Sequence, residues 1–298
     1  MTEITENDRI SEKTAVALGL FDGIHTGHRL ILSEIFLEKE LAPAVFTFRT
    51  ESVKFKHGKP LEYIFPNKVK LEQLAAMGID YACSPDFDDV RDMSGEDFVR
   101  TILCERMNAG AVACGENFRF GRNAQCGAEE LKEFGKKYGF RVTVVKLSED
   151  AFSSEKFRAM LREGRVDELR SSGNAYILSA EVVQGNRIGR TLDFPTINQH
   201  FAPEQLVPRH GVYHTQTLIG GKIYDSVTNV GVKPTIGDNI KPLAETHILG
   251  FSGDLYGSFA DVAFCRLIRG ERKFASLEEL KKQINADIIS VRTRSGKE

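Results

Sequence analysis

The sequence predicts two architectures in succession: an α/β N-terminal domain on a parallel sheet, then an antiparallel β-barrel or sandwich with a terminal helix. Two observations carry this. Up to residue 147, short apolar runs alternate with stretches apolar at helical spacing, the rhythm of a mostly parallel sheet with helices on both faces. From about residue 175 to 268, β-branched segments crowd together between Gly220-Gly221, Gly237-Asp238-Asn239 and Ser252-Gly253-Asp254, the pattern of antiparallel pairing. The chain's 298 residues suit two domains, and the expected division is 1–172 and 173–298.

The elements follow in order. TAVALGLF (14–21) reads as a buried strand, and Ile31, Leu32, Ile35 and Phe36 give the following segment its helical stripe. AVFTF (44–48) reads as a strand and NKVKLEQLAAMG (67–78) as a helix stopped by Gly78. GEDFVRTILCERM is a further helix, AGAVACG a strand, AEELKEFGKKYG a helix and RVTVVKL a strand. The charged segment 153–173 reads as a helical bridge with a solvated face. Five strands are expected beyond it: YILSAEVVQG, GVYHTQTLI, KIYDSVTNVG, ETHILGF and SFADVAFCRLIRG. Ser276 as N-cap, Glu279 three residues on, and the Leu277, Leu280, Ile284 stripe predict a final helix.

Composition narrows the function. Forty basic residues against 42 acidic give a net charge of -2, which removes a global electrostatic case for nucleic-acid binding. The polar start MTEITENDRISEK does not read as a secretory signal, and no apolar run reads as a membrane span. Cys83, Cys104, Cys114, Cys126 and Cys265 are odd in number and widely spaced, with no C-x-x-C, so a reducing cytoplasm is expected rather than a disulfide framework or zinc site.

The informative stretch of the first half is Gly19-Leu20-Phe21-Asp22-Gly23-Ile24-His25-Thr26-Gly27-His28, where a strand ends and a helix begins. Carboxyl ends of parallel strands bind ligands, and a helix N-terminus favours phosphate. Gly23 and Gly27 allow close backbone approach, and His25 and His28 can donate to phosphate oxygens. A surface turn with two incidental histidines, or a metal pair, would use the same residues. Gly115-Glu116-Asn117-Phe118-Arg119-Phe120-Gly121 reads on its own as an aromatic packing loop. In the second half, Gly185-Asn186-Arg187-Ile188-Gly189-Arg190 runs into Phe194-Pro195-Thr196-Ile197-Asn198. Gly185 and Gly189 offer backbone amides, Arg190 offers charge, and Thr196 and Asn198 offer neutral oxygens for phosphate or Mg²⁺. A surface hairpin is the plain alternative.

With these motifs in view, GLFDG followed by HTGH resembles the nucleotidyltransferase superfamily. More narrowly, nearly the whole chain resembles the bacterial bifunctional riboflavin kinase/FAD synthetase family. The second-half blocks carrying this are FPT-x-N, Pro208-Arg209-His210-Gly211-Val212-Tyr213, Asn229-Val230-Gly231-Val232-Lys233-Pro234-Thr235, Glu245-Thr246-His247 and Leu255-Tyr256-Gly257. The resemblance implies a Rossmann-like nucleotidyltransferase domain and a Greek-key kinase barrel. It implies that His25 and His28 stabilise charge on ATP phosphates, with Phe21, Asp22, Gly23, Gly27, Ser153, Ser154 and Arg158 also at the nucleotide. It puts Asn117, Phe118 and Phe120 at the flavin, Thr196 and Asn198 on Mg²⁺-ATP, and Glu245 as base on the ribityl 5′-hydroxyl. ATP, riboflavin and FMN are the implied substrates and Mg²⁺ the implied cofactor, with neither a nucleic-acid nor a membrane partner; the oligomeric state is left open.

The chain departs from the family pattern at four places. Asn117 stands for Asp, Arg49-Thr50-Glu51 for a Pro-containing stretch, Glu155 for the Thr of S-S-T-x-I-R, and Asp193 for Gly. A carboxylate at position 155 would repel a triphosphate unless a cation offsets it. That keeps open a kinase whose N-terminal half is degenerate or regulatory. A flavin-binding regulator without turnover, and another adenylyl- or cytidylyltransferase, are weaker rivals. His247 shares a strand face with Glu245, where a structural role is expected of it.

Overall fold

The computed structural model describes residues 1–56, 59–147, 152–185, 194–232 and 242–295. The chain divides into two compact units, Met1–Ser154 and Glu155–Glu298.

The first unit runs β1 (Thr2–Ile4), β2 (Thr14–Leu18), α1 (Thr26–Phe36), β3 (Ala42–Phe46), the short pair β4 (Phe55–Lys56) and β5 (Lys59–Pro60), α2 (Asn67–Ala76), β6 (Tyr81–Cys83), α3 (Phe87–Val90), α4 (Gly95–Asp97), β7 (Ala109–Gly115), α5 (Ala128–Tyr138) and β8 (Arg141–Val145). Six strands form one sheet in the order β1-β6-β3-β2-β7-β8, every neighbour parallel. β2 is buried along its whole length because both faces are covered. Val16 and Leu18 point into one layer with Phe46, Phe98, Val112 and Leu131. Ala15 and Ala17 point into the other with Leu32, Ile35, Val45 and Leu74. Successive connections go to β3 on one side of β2, and the chain later returns to β7 on the other. The carboxyl end of β2 is therefore the switch point where such sheets bind ligands.

Three of the segments read from the sequence take a different form, apart from short strands that it did not show. The helix expected over 95–107 is α-helical only through α4 and continues as a π-helix over Phe98–Arg106, ending with an i→i+5 bond from Met107 N–H to the Ile102 carbonyl. The polar N-terminus contributes β1, because Thr2–Ile4 finds the edge of β6. The charged bridge is two helices, α6 (Ser154–Glu163) and α7 (Val166–Ser171). Gly164 separates them at φ +79°, and a Cβ there would lie 2.9 Å from the Leu267 side chain.

The second unit continues with β9 (Ile177–Glu181), β10 (Ile197–His200), β11 (Gly211–Ile219), β12 (Lys222–Val232), β13 (Pro242–Ile248), β14 (Phe259–Gly270) and α8 (Leu277–Ser295). The antiparallel order is β10-β13-β12-β11-β14-β9. β11, β12 and β13 form a meander and β14 returns beside β11, which is a Greek key. The sheet closes on itself where Val183 N–H donates to the Asn198 carbonyl (2.9 Å) and the Gln199 amide donates to the carbonyls of Ala180 and Ala260 (2.8 Å each).

Strand alternation divides the work of the barrel. Inside, buried hydroxyls satisfy one another: Thr215 to Thr228 (2.7 Å), Thr228 to Thr246 (2.8 Å) and Thr217 to Ser226 (2.8 Å). Outside, Val212 and Val227 pack against Ile288 and Val291 of α8. Thr228→Val removes the middle hydroxyl of a buried chain of three. We expect a stability loss of about 1–3 kcal/mol in the unfolding transition of this unit, read by chemical denaturation.

Candidate active sites

The turn after β2 is built under strain. Phe21 (φ 51°), Gly23 (φ 89°) and Ile24 (φ 37°) all lie at positive φ, yet Phe21 and Ile24 are buried. Asp22 holds them there. Its buried Oδ1 accepts from the backbone N–H groups of Ile64 (2.8 Å) and Phe65 (3.4 Å), and its carbonyl accepts from the Ser154 hydroxyl (2.8 Å). The turn delivers His25 as the N-cap of α1, its Nδ1 accepting from His28 N–H at 3.3 Å. The two imidazoles stack with centroids 3.7 Å apart, and Phe21 meets His28 edge-on at 5.3 Å. A helix N-terminus with two adjacent imidazoles suits an anion. Gly27 is needed for clearance: a Cβ there would lie 2.8 Å from the Phe152 carbonyl oxygen and 3.1 Å from His25 Nδ1.

A separate cavity of about 450 Å³ opens in the same unit, walled by Phe46, Phe48, Phe87, Phe98, Phe118 and Phe120 with Arg91 and Arg119 among its polar lining. Phe118 and Phe120 stack at 5.7 Å, and Phe48 meets Phe46 and Phe87 edge-on. Its size and aromatic walls suit a flat heterocycle. Asn117 is exposed on the loop entering this wall. Ser153 is exposed, whereas Arg158 is buried. Glu155 projects from α6 with its side chain 83% exposed and its carboxylate 3.8 Å from the Arg158 guanidinium. Of the departing stretch after β3, Glu51 accepts from Asn67 N–H at the start of α2 (2.8 Å), and Arg49 pairs with Asp86 (3.3 Å).

In the second unit, pairing sets Asn198, Glu245, Asn229, Val212 and Arg269 in one row across five strands, on the outward face. Beside that row lies a cavity of about 670 Å³, lined by Thr196, Glu245, Asn229, His247, Arg269, Phe274 and the α8 residues Leu280, Ile284 and Asp287. Asp287 of α8 is 3% exposed and grips Arg269 of β14 at two nitrogens (3.1 and 2.9 Å), fixing one wall. His247 lines the cavity with Glu245, bonds the Pro195 carbonyl through Nδ1 (2.8 Å) and stands edge-on to Phe194 (5.6 Å). Asn198 is buried, and among the described residues its Oδ1 has no hydrogen-bond partner. It lies against Gly185, where a Cβ would come 2.5 Å from the Asn198 amide nitrogen. A buried neutral oxygen left open beside a glycine fits a divalent cation or a nucleotide phosphate. Gly189, Arg190 and Asp193 lie outside the described residues.

Sequence reasoning found Phe118 and Phe120 of one cavity and Thr196, Glu245 and His247 of the other, but missed the remaining walls. Phe48, Phe87 and Phe98 carry no motif, although each is an aromatic residue near a strand end or helix start. Arg269 and Asp287 are 18 residues apart and meet only through the docking of α8.

The fold and these cavities define a two-unit protein with separate candidate sites, one in the parallel-sheet unit and one on a Greek-key barrel. The FAD synthetase family model matches residues 7–156 and the riboflavin kinase family model residues 172–294. The chain is 32% identical over 291 residues to the bifunctional riboflavin kinase/FMN adenylyltransferase of Escherichia coli (strain K12), covering 94% of this chain and 92% of that protein. It is 29% identical to the protein of the same description from Bacillus subtilis (strain 168), covering 92% and 90%. The chain belongs to the bifunctional riboflavin kinase/FMN adenylyltransferase family. A crystal structure described as a macrolide-efflux protein from Streptococcus pneumoniae shares the fold over 98% of both chains, with a TM-score of 0.83 and 27% identity. Among the described residues of this chain, no helix is long and apolar enough to cross a membrane.

Gly27→Ala puts a methyl where the chain at Phe152 and the His25 ring meet. We expect at least a tenfold loss of any nucleotide-dependent activity of the first unit, with riboflavin phosphorylation by the same preparation as the unchanged control.

Proposed function

We propose that the chain makes FMN from riboflavin and FAD from FMN, using ATP in both steps. The adenylyltransferase is assigned to the N-terminal part (1–172) and the kinase to the C-terminal part (173–298). One observation supports this above the others: each motif-bearing segment has its own ligand-sized cavity, one aromatic and one lined by Glu245. Small molecules are the partners, and the five free cysteines fit a cytoplasmic enzyme.

In the kinase step, Glu245 accepts the proton of the ribityl 5′-hydroxyl. The oxygen attacks the γ-phosphorus of ATP, a phosphoester bond forms, the β–γ bridge breaks and ADP leaves. Asn229 and His247 flank Glu245 on the same face, and Val212, Val227 and Phe274 offer the apolar wall an isoalloxazine needs. We take the divalent metal to be Mg²⁺, which supplies charge neutralisation on the phosphates, and Thr196 and Asn198 would hold it. Gly185, Gly189 and Arg190 are assigned to the nucleotide's phosphates.

In the adenylyl transfer, a phosphate oxygen of FMN attacks the α-phosphorus of ATP. The new bond is the pyrophosphate link of FAD, the α–β bridge breaks and pyrophosphate leaves. His25 and His28 donate to the phosphates from the start of α1, where the helix dipole assists. Phe21, Asp22 and Gly23 shape that turn, and Ser153, Ser154 and Arg158 are assigned to the triphosphate. Asn117, Phe118 and Phe120 are assigned to the flavin. In this unit Mg²⁺ would come with the nucleotide, whose phosphates supply its oxygen ligands. The Arg158 guanidinium near Glu155 partly offsets the carboxylate that favours a degenerate N-terminal half.

Purified protein given riboflavin, ATP and Mg²⁺ should form FMN first and FAD after it, resolved by chromatography. FMN accumulating without FAD would demote the N-terminal unit. Glu245→Gln should lower FMN formation by about 10²–10⁴-fold while leaving FAD formation from supplied FMN intact. His28→Ala should lower FAD formation by about 10²–10³-fold and spare the kinase, measured by pyrophosphate release.

A further inference from the structure

Lysine is seldom buried, yet Lys70 of α2 is fully enclosed and its ammonium fully engaged. Nζ donates to the Phe48 carbonyl (2.6 Å), the Thr47 hydroxyl (3.1 Å) and the Leu20 carbonyl (3.5 Å). Three donors meet three oxygens. The Thr47 hydroxyl in turn donates to the Leu20 carbonyl at 2.9 Å. These oxygens sit on two strand exits. Leu20 lies between β2 and the strained turn that delivers His25 and His28. Thr47 and Phe48 follow β3, and the Phe48 ring walls the aromatic cavity. One cation therefore ties the backbone of the histidine turn to the backbone of the flavin-sized cavity.

An apolar side chain of similar shape would fill this space without the cost of desolvating an ion. That cost is visible: burial pushes the Lys70 pKa down to about 8, against the pull of Asp22, Glu51 and Glu3, the carboxylates that face it from the β2 turn, the β3 exit and β1. What the ammonium supplies in return is geometry, because a neutral stem bonds none of the three oxygens. Adenylyl transfer needs an oxygen of one substrate in line with the phosphorus of another, and a misplacement of about 1 Å costs on the order of 10²-fold.

We propose that Lys70 is a positioning residue for adenylyl transfer, its ammonium setting the spacing between the phosphate turn and the aromatic wall so that the two bound substrates align. The inference rests on the adenylyltransferase reading above.

The test is Lys70→Met in the full chain, assayed for FAD formation from FMN, with riboflavin phosphorylation as the internal control. Expected is a fall in kcat of about 10–100-fold with KM for FMN and ATP within about threefold, since each subsite stays intact while their alignment is lost. The wild-type kcat for FAD formation should fall as pH rises through about 8, where Lys70 gives up its proton, and the variant should lack that limb. Wild-type kcat in folded Lys70→Met, or a change confined to KM, overturns the proposal. Should Lys70→Met fail to fold, Thr47→Val and the wild-type pH profile decide: an unchanged kcat in the first with a flat profile above pH 8 overturns it, and a loss in both supports it. Wild-type protein that makes FMN and never FAD sinks the adenylyltransferase reading and this inference with it, whereas normal FAD formation in Lys70→Met sinks this inference alone.

Discussion

A buried carboxylate organises the N-terminal site. Asp22 takes two backbone N–H bonds from Ile64 and Phe65 and offers its carbonyl to Ser154, so three remote stretches of chain meet at one turn. That turn holds Phe21 and Ile24 at positive φ, a conformation costing about 1–3 kcal/mol at each residue. Such strain persists only where the surroundings over-determine it. Here the buried rings and the pinned carboxylate do so, and the strained backbone delivers His25 to the start of α1 with its imidazole stacked on His28. Removing the carboxylate would release the strain and the histidine geometry together.

The barrel solves a different problem. Its strands turn hydroxyls inward and the site outward, and pairing places Asn198, Glu245 and Asn229 side by side without help from loops. Precision comes from register: a slip of one residue would send Glu245 inside and Thr246 out. The cavity is completed by α8, held through the Arg269–Asp287 pair. The first unit works by fixing a turn at the edge of a buried sheet, the second by alternating the two faces of a closed one.

Much of this was legible in the sequence, because much of it is local. The strand Ala109–Gly115, the stop of α2 at Gly78 and the turn of His25 and His28 lie within short windows where apolar spacing and glycine speak directly. Glu245 and His247 were expected on one face and line one cavity. What stayed hidden depends on partners far along the chain. β6 and β10 are too short to show a period and exist because neighbours pair with them. The π-helix over Phe98–Arg106 has ordinary helical composition. Lys70 is a charged residue in the first turn of α2, and only the fold shows it enclosed by Leu20, Thr47 and Phe48.

Barrel closure has a thermodynamic corollary. Among the described residues the seam rests on one backbone bond, Val183 to Asn198, and on the amide of the next residue, Gln199. Adjacent strand residues face opposite sides, so the amide that sews the inside and the open oxygen on the outside belong to neighbouring positions. Any ligand that engages Asn198 grips the seam where it is thinnest. Occupancy and closure are then linked by mass action: a ligand bound only by the closed barrel adds a stapling free energy that grows with the logarithm of its concentration.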